Sequence, residues 1–168
     1  SSVSCAELRR FAARTTAHET LDAEAIAVLE PALEGRFQSA LFFADEAHLQ
    51  PRVALTELRS GLRRHGASME FGTVADPRQF GGMVLDCRGA RADAPGLRCV
   101  RGEMLLLRCP DVSLSRPVRI LHPRWPVYVV PHGEGRFMVG ASMIESEDRR
   151  AITLRSAVEL MNAAYALH

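Results

Sequence analysis

No apolar run in these 168 residues approaches the roughly 20 that a helix needs to cross a bilayer. No charged-then-apolar segment opens the chain as a secretory signal would. A surplus of charge of one sign is also missing: the net charge of +1 gives no reason to expect nucleic acid or an acidic membrane as partner. Cys5, Cys87, Cys99 and Cys109 stand far apart, without the two-residue interval of zinc or redox motifs, and read as reduced structural thiols. The six histidines are scattered and make no ligand pattern, so no metal is expected. A soluble, cytoplasmic protein is the default reading.

What is present is ordinary for one packed core, with 47% hydrophobic and 24% charged residues. Ser4-Cys5-Ala6-Glu7 has the form of a capping box ahead of a short helix. A second helix is expected from Asp22, with Ala25, Ile26 and Leu29 on one face, ending at Pro31. Glu30 beside it is read as structural. A strand over 39–43 leads to a helix that starts at Gln50-Pro51, places Leu55, Leu58 and Leu62 on one face, and stops at Gly66. Its arginines, Arg52, Arg59, Arg63 and Arg64, read as a solvated face.

Strands are expected over 67–71 and 83–87, the second ending in Arg88-Gly89. That order of helix, strand and glycine-ended strand is what a dinucleotide-binding half-domain offers. Met104 to Arg108 reads as a strand buried on both faces, since Leu105, Leu106 and Leu107 run without interruption. A short strand over 117–121 and a rigid loop from His122 through Trp125 to Pro126 follow. After Met143 comes an acidic turn of Glu145, Glu147 and Asp148, read as complementing the positive end of a last helix. That helix is expected to bury Leu154, Ala157, Val158, Met161, Ala164 and Tyr165.

The centre of the pattern is 126–143, two apolar runs around His132-Gly133-Glu134-Gly135, which reads as a β-hairpin. If Pro131 pairs with Arg136, Tyr128 stands opposite Val139 and shares a face with Met143. On a straight ladder the two lie roughly 13 Å apart, so touching one small ligand requires a bend, for which Gly140 is the candidate. Both residue types also serve as ordinary core residues.

Tyr-Val-Val-Pro followed by Gly-Arg-Phe-Met-Val-Gly-Ala-Ser-Met resembles the hairpin of the FAD-dependent D-amino-acid oxidase family, and most of all its glycine oxidases of thiamine biosynthesis. Leu29-Glu30-Pro31, Gln50-Pro51, Val84 to Ala90 and Val100-Arg101-Gly102-Glu103 agree in the same order, over nearly the whole chain. The resemblance implies an α+β fold with a mixed, mainly antiparallel sheet and flanking helices. It divides the chain into a junction region over 1–50, a remnant of the flavin-binding α/β layer over 51–100, and substrate-domain sheet over 101–168. It implies FAD as cofactor, with Val74 and Gly89 beside it, and Tyr128 and Met143 as substrate contacts; no residue here is assigned a catalytic role. Arg101 falls at a position where the family varies. In place of the family's extra small hairpin the chain has only residues 76–82.

The activity implied is oxidation of glycine or another small amino acid by dioxygen to a 2-oxo acid, ammonia and hydrogen peroxide, by a homo-oligomer when full-length. The family's Gly-x-Gly-x-x-Gly turn occurs nowhere in these residues, and its carboxylate-clamping arginine would follow the last helix. An internal piece of a longer polypeptide, inactive alone, is therefore expected. The alternatives are a D-amino-acid or sarcosine oxidase or dehydrogenase, and a non-catalytic binding domain without the cofactor half.

Overall fold

The computed structural model describes residues 2–92, 94–122 and 126–167, with backbone only for 2–5. Pro123, Arg124 and Trp125 of the loop read as rigid lie outside the described residues. The chain forms two compact units, one of 1–48 with 100–168, the other of 49–99.

In the first unit α1 (Ser2–Ala12) begins two residues before Ser4, so the Ser4–Glu7 pattern lies within the helix instead of capping it. Phe11 near its end meets Phe43 edge-on at 6.3 Å between ring centroids. β1 (Glu19–Asp22) pairs antiparallel with β2 (Ser39–Phe42), Glu19 opposite Phe42. Only β2 is legible in the sequence, because Glu-Thr-Leu-Asp carries a single large apolar residue. α2 (Ala23–Leu29) starts where expected: the Asp22 carboxylate accepts from the Ala25 N–H at 2.9 Å, satisfying one of the open donors of the first turn. Pro31 ends it, and a 3₁₀ turn over Pro31–Leu33 buries Leu33 beside Ile26 in the core.

The second unit is built around α3 (Pro51–Arg64), with Pro51 in its first turn and Gly66 at φ +80 just beyond its end. Leu55, Leu58 and Leu62 form the stripe read from the sequence but remain 66%, 63% and 53% exposed. Arg59 and Arg63 are not simply solvated: their guanidinium carbons lie 6.0 and 5.7 Å from the centroid of the Phe71 ring, within cation–π range.

The strands expected over 67–71 and 83–87 do not form; both stretches run without a ladder, and Leu85 is 80% exposed. A strand is held by the backbone groups of a neighbour, and these stretches have none among the described residues. Of the elements expected over 51–100, the helix is present and the strands are not, among the described residues.

Returning to the first unit, β3 (Val100–Arg101), β4 (Met104–Arg108), β5 (Val118–Ile120), β6 (Val127–Pro131), β7 (Arg136–Gly140) and β8 (Ile144–Glu145) follow in chain order. β3 pairs with β8, and the other four form one sheet in the order β4-β7-β6-β5, with every pairing antiparallel. One face of this sheet carries Val127, Val129, Phe137 and Val139, buried with Leu160 of α4 (Leu154–Ala164). Burying each such side chain contributes about 1.5–3 kcal/mol. The helix turns Ser156 and Leu160 inward and leaves Leu154 81% exposed, so its buried stripe is rotated from the one read in the sequence.

Two further expectations change. β4 is not buried on both sides: Leu105 and Leu107 pack against the core while Leu106 is 64% exposed, because β4 is an edge strand of a sheet covered on one face within this unit. The hairpin register is shifted by one, with Pro131 opposite Phe137 and Tyr128 opposite Gly140. The turn is tighter than the four residues counted from sequence. Gly133, Glu134 and Gly135 all take positive φ, and the His132 N–H donates to the Arg136 carbonyl at 2.8 Å, extending the pairing by one residue.

Candidate substrate-facing site

The corrected register sets Met104, Gly140, Tyr128 and Arg119 in one row across all four strands, β4 to β5. Side chains alternate along each strand, so this row lies on the face opposite the core. Glycine at the third strand leaves a gap one side chain deep, and the Tyr128 ring lies down in it. A Cβ on Gly140 would stand 2.9 Å from the Tyr128 hydroxyl oxygen, 3.0 Å from Cζ and 2.9 Å from Met104 Cγ. The phenol ends 3.6 Å from Met104 Sδ, a weak acceptor. Half-buried, with its O–H aimed at sulfur, Tyr128 keeps a donor that a stronger acceptor can take.

Arg119 does not join it: its guanidinium turns toward α1, 5.7 Å from the Phe11 ring centroid. Met143 does not join it either. It lies three residues past the end of β7 and is 84% exposed. The common face expected for Tyr128 and Met143 rested on the Val139 pairing, which the register removes; Gly140, the expected bend, is where the strand ends.

Beside Met143, a buried carboxylate fixes the chain. Glu103 is 5% exposed and accepts from Arg101 Nη2 at 2.6 Å and from the Thr153 N–H at 2.9 Å. Its own N–H donates to Ser142 Oγ at 2.8 Å, and the Ser142 N–H returns to the Glu103 carbonyl at 3.0 Å. A hydrogen bond from Ser156, then those from Thr153 and Arg101, holds the Glu103 carboxyl below its usual range against the opposing effect of burial. Arg101 also donates to the carbonyls of Asp148, Arg150 and Ala151 at 3.0, 2.9 and 2.6 Å. One ion pair thus joins β3, the segment carrying Met143 and the start of α4.

Of the acidic turn, Asp148 belongs to this network and not to a helix end. Asp148 pairs with Arg150 at 2.8 Å and with Arg101 at 3.1 Å, and these cations, Arg150 first, lower its carboxyl. Thr153 caps α4 instead, its hydroxyl accepting from the Ser156 N–H at 3.1 Å. Glu30, read as structural, is 5% exposed and holds Ser115 through its N–H at 3.1 Å and hydroxyl at 2.5 Å, with Arg116 at 3.0 Å.

Met104 and Glu103 are what the sequence reading missed as site residues. A signal for Met104 existed: a glycine opposite an aromatic across a hairpin marks where that ring lies down and points it at the next strand.

The family described as FAD dependent oxidoreductase matches residues 2–168. The chain belongs to this family. It is also 55% identical over 164 residues to a Rhizobium etli protein named "Putative thiamine biosynthesis oxidoreductase ThiO", a match covering 96% of this chain and 50% of that protein. The chain thus spans about half the length of the curated relative it matches.

For FAD itself the second unit offers little. Val74 is 99% exposed, and Gly89 opens a 3₁₀ turn at φ +57 instead of closing a strand. No glycine-rich phosphate turn occurs in the 168 residues. These residues do not fit an FAD site on their own.

Proposed function

We propose that this chain is the substrate-side part of an FAD-dependent amine oxidoreductase that oxidises the C–N bond of glycine or a comparably small amino acid. The full-length reaction takes amino acid, dioxygen and water to 2-oxo acid, ammonia and hydrogen peroxide, two electrons passing from the substrate to oxygen. No protein side chain accepts a hydride, so the electron-transfer chemistry is the cofactor's. What this chain contributes is position.

The observation that carries the reading is the Tyr128 phenol lying over Gly140, its O–H held only by a thioether among the described residues. A substrate carboxylate is a far stronger acceptor than sulfur, and a hydrogen bond to a charged group contributes about 1.5–3 kcal/mol. Met143, exposed here, lines the same substrate in the full-length protein, where Ser142 and Glu103 anchor its neighbour. Val74 and Gly89 are proposed to border the cofactor there. The 168 residues alone are proposed to be inactive, and the whole protein to work as a soluble homo-oligomer in the cytoplasm.

The test is a peroxide assay of the full-length protein with glycine, sarcosine and D-alanine. Turnover of glycine ahead of D-alanine supports the reading. Turnover led by D-alanine or sarcosine selects the sibling oxidases, and silence with all three overturns every oxidase reading.

A further inference from the structure

Met104 was singled out by no sequence motif, yet its sulfur lies 3.6 Å from the Tyr128 phenol oxygen, as its hydrogen-bond acceptor. The geometry points to Met104 as a specificity-determining residue of the Tyr128 site: the wall against which the ligand carboxylate lies. This inference rests on the reading of Tyr128 as a carboxylate donor.

The argument is one of distances. An oxygen accepting from the phenol sits about 2.7 Å from it, and the phenol oxygen sits 3.6 Å from Met104 Sδ. Whatever the direction of approach, that oxygen then lies no more than about 6.3 Å from the sulfur, the two distances laid end to end. A carboxylate that takes the hydrogen bond from the side the sulfur now holds is therefore a neighbour of Met104. Met104 is itself 50% exposed, so part of its surface is open to a ligand. A flexible, polarisable side chain there fills the space beside a small ligand and yields to a larger one.

The row also explains why the two side chains meet. Gly140 is the floor: any side chain on it would meet both Met104 Cγ and the Tyr128 ring at about the same distance.

The experiment uses the full-length protein labelled with ¹³C at its methionine methyl groups, titrated with acetate, the carboxylate of glycine without its amine. The Met104 resonance is assigned by its loss in Met104→Leu. Expected is a saturable shift of that resonance, its midpoint moved in Tyr128→Phe to acetate concentrations at least about tenfold higher. In Met104→Glu, a fixed carboxylate at the wall should abolish acetate binding, while Met104→Leu keeps it. A silent Met104 resonance, with acetate binding still dependent on Tyr128, would overturn this inference and leave the Tyr128 reading standing. Acetate binding that is indifferent to Tyr128→Phe would overturn both.

Discussion

Tyr128 and Gly140 stand opposite each other across β6 and β7, and the tyrosine ring occupies the space that a Cβ on Gly140 would need. Because that Cβ would lie 2.9 Å from the hydroxyl oxygen, Gly140→Ala must lift the ring off the sheet. The colliding atoms are side-chain ends, so the fold should survive. Expected is a raised KM for the amino acid in the full-length protein with thermal stability shifted by only a few degrees. Steady-state kinetics and a melting curve on the same sample check it.

Gly135 makes the opposite case. It takes φ +65, and a Cβ there would meet the Pro110 Cα at 2.9 Å and the Cys109 carbonyl oxygen at 3.1 Å, all backbone. A Cβ on Gly133, at φ +77, would meet nothing within 4 Å among the described residues. Gly133→Ala should therefore lose about 1 kcal/mol from conformation alone, and Gly135→Ala clearly more, since the turn of the hairpin must part from the end of β4. Urea denaturation of the two variants side by side gives the comparison.

The Glu103 network sets an acid limit on stability. Its carboxyl is lowered in the folded protein, so the native state binds fewer protons than the unfolded one as pH falls. The stabilisation is fully present above the unfolded value, near 4.5, and is lost as pH drops through the folded one. Glu103→Gln should flatten the fall in urea midpoint below that point while lowering the midpoint at neutral pH. An acid limb as steep in the variant as in the parent would assign the loss to other carboxylates.

How much of this was legible can be judged from particular residues. Asp22, Pro31, Pro51 and Gly66 punctuate helices through local chemistry, and their helices are found where those residues place them. Strand positions β2, β4, β5 and the hairpin were also readable, since β-branched and apolar runs bounded by Pro and Gly are local signals. What failed was whatever depended on a partner. Val84 and Leu85 have strand-like side chains but no neighbouring strand among the described residues, and Leu106 has apolar neighbours in sequence but an open face in space.

The site was legible in the same proportion. The place of Tyr128 in a hairpin strand was readable, but the residue it faces depends on a register fixed by three consecutive positive φ values, including one at Glu134 that composition does not announce. A slip of one residue exchanged Val139 for Gly140 as its partner, and with it concealed Met104.

The central claim is that the Tyr128 hydroxyl holds the substrate carboxylate. It is tested most directly by kcat/KM for glycine in full-length protein carrying Tyr128→Phe, with flavin content measured by absorbance on the same preparation. The account predicts a loss of roughly tenfold or more, expressed mainly in KM, at unchanged flavin content. An unchanged kcat/KM would contradict it and return Tyr128 to the role of a residue that merely covers the sheet.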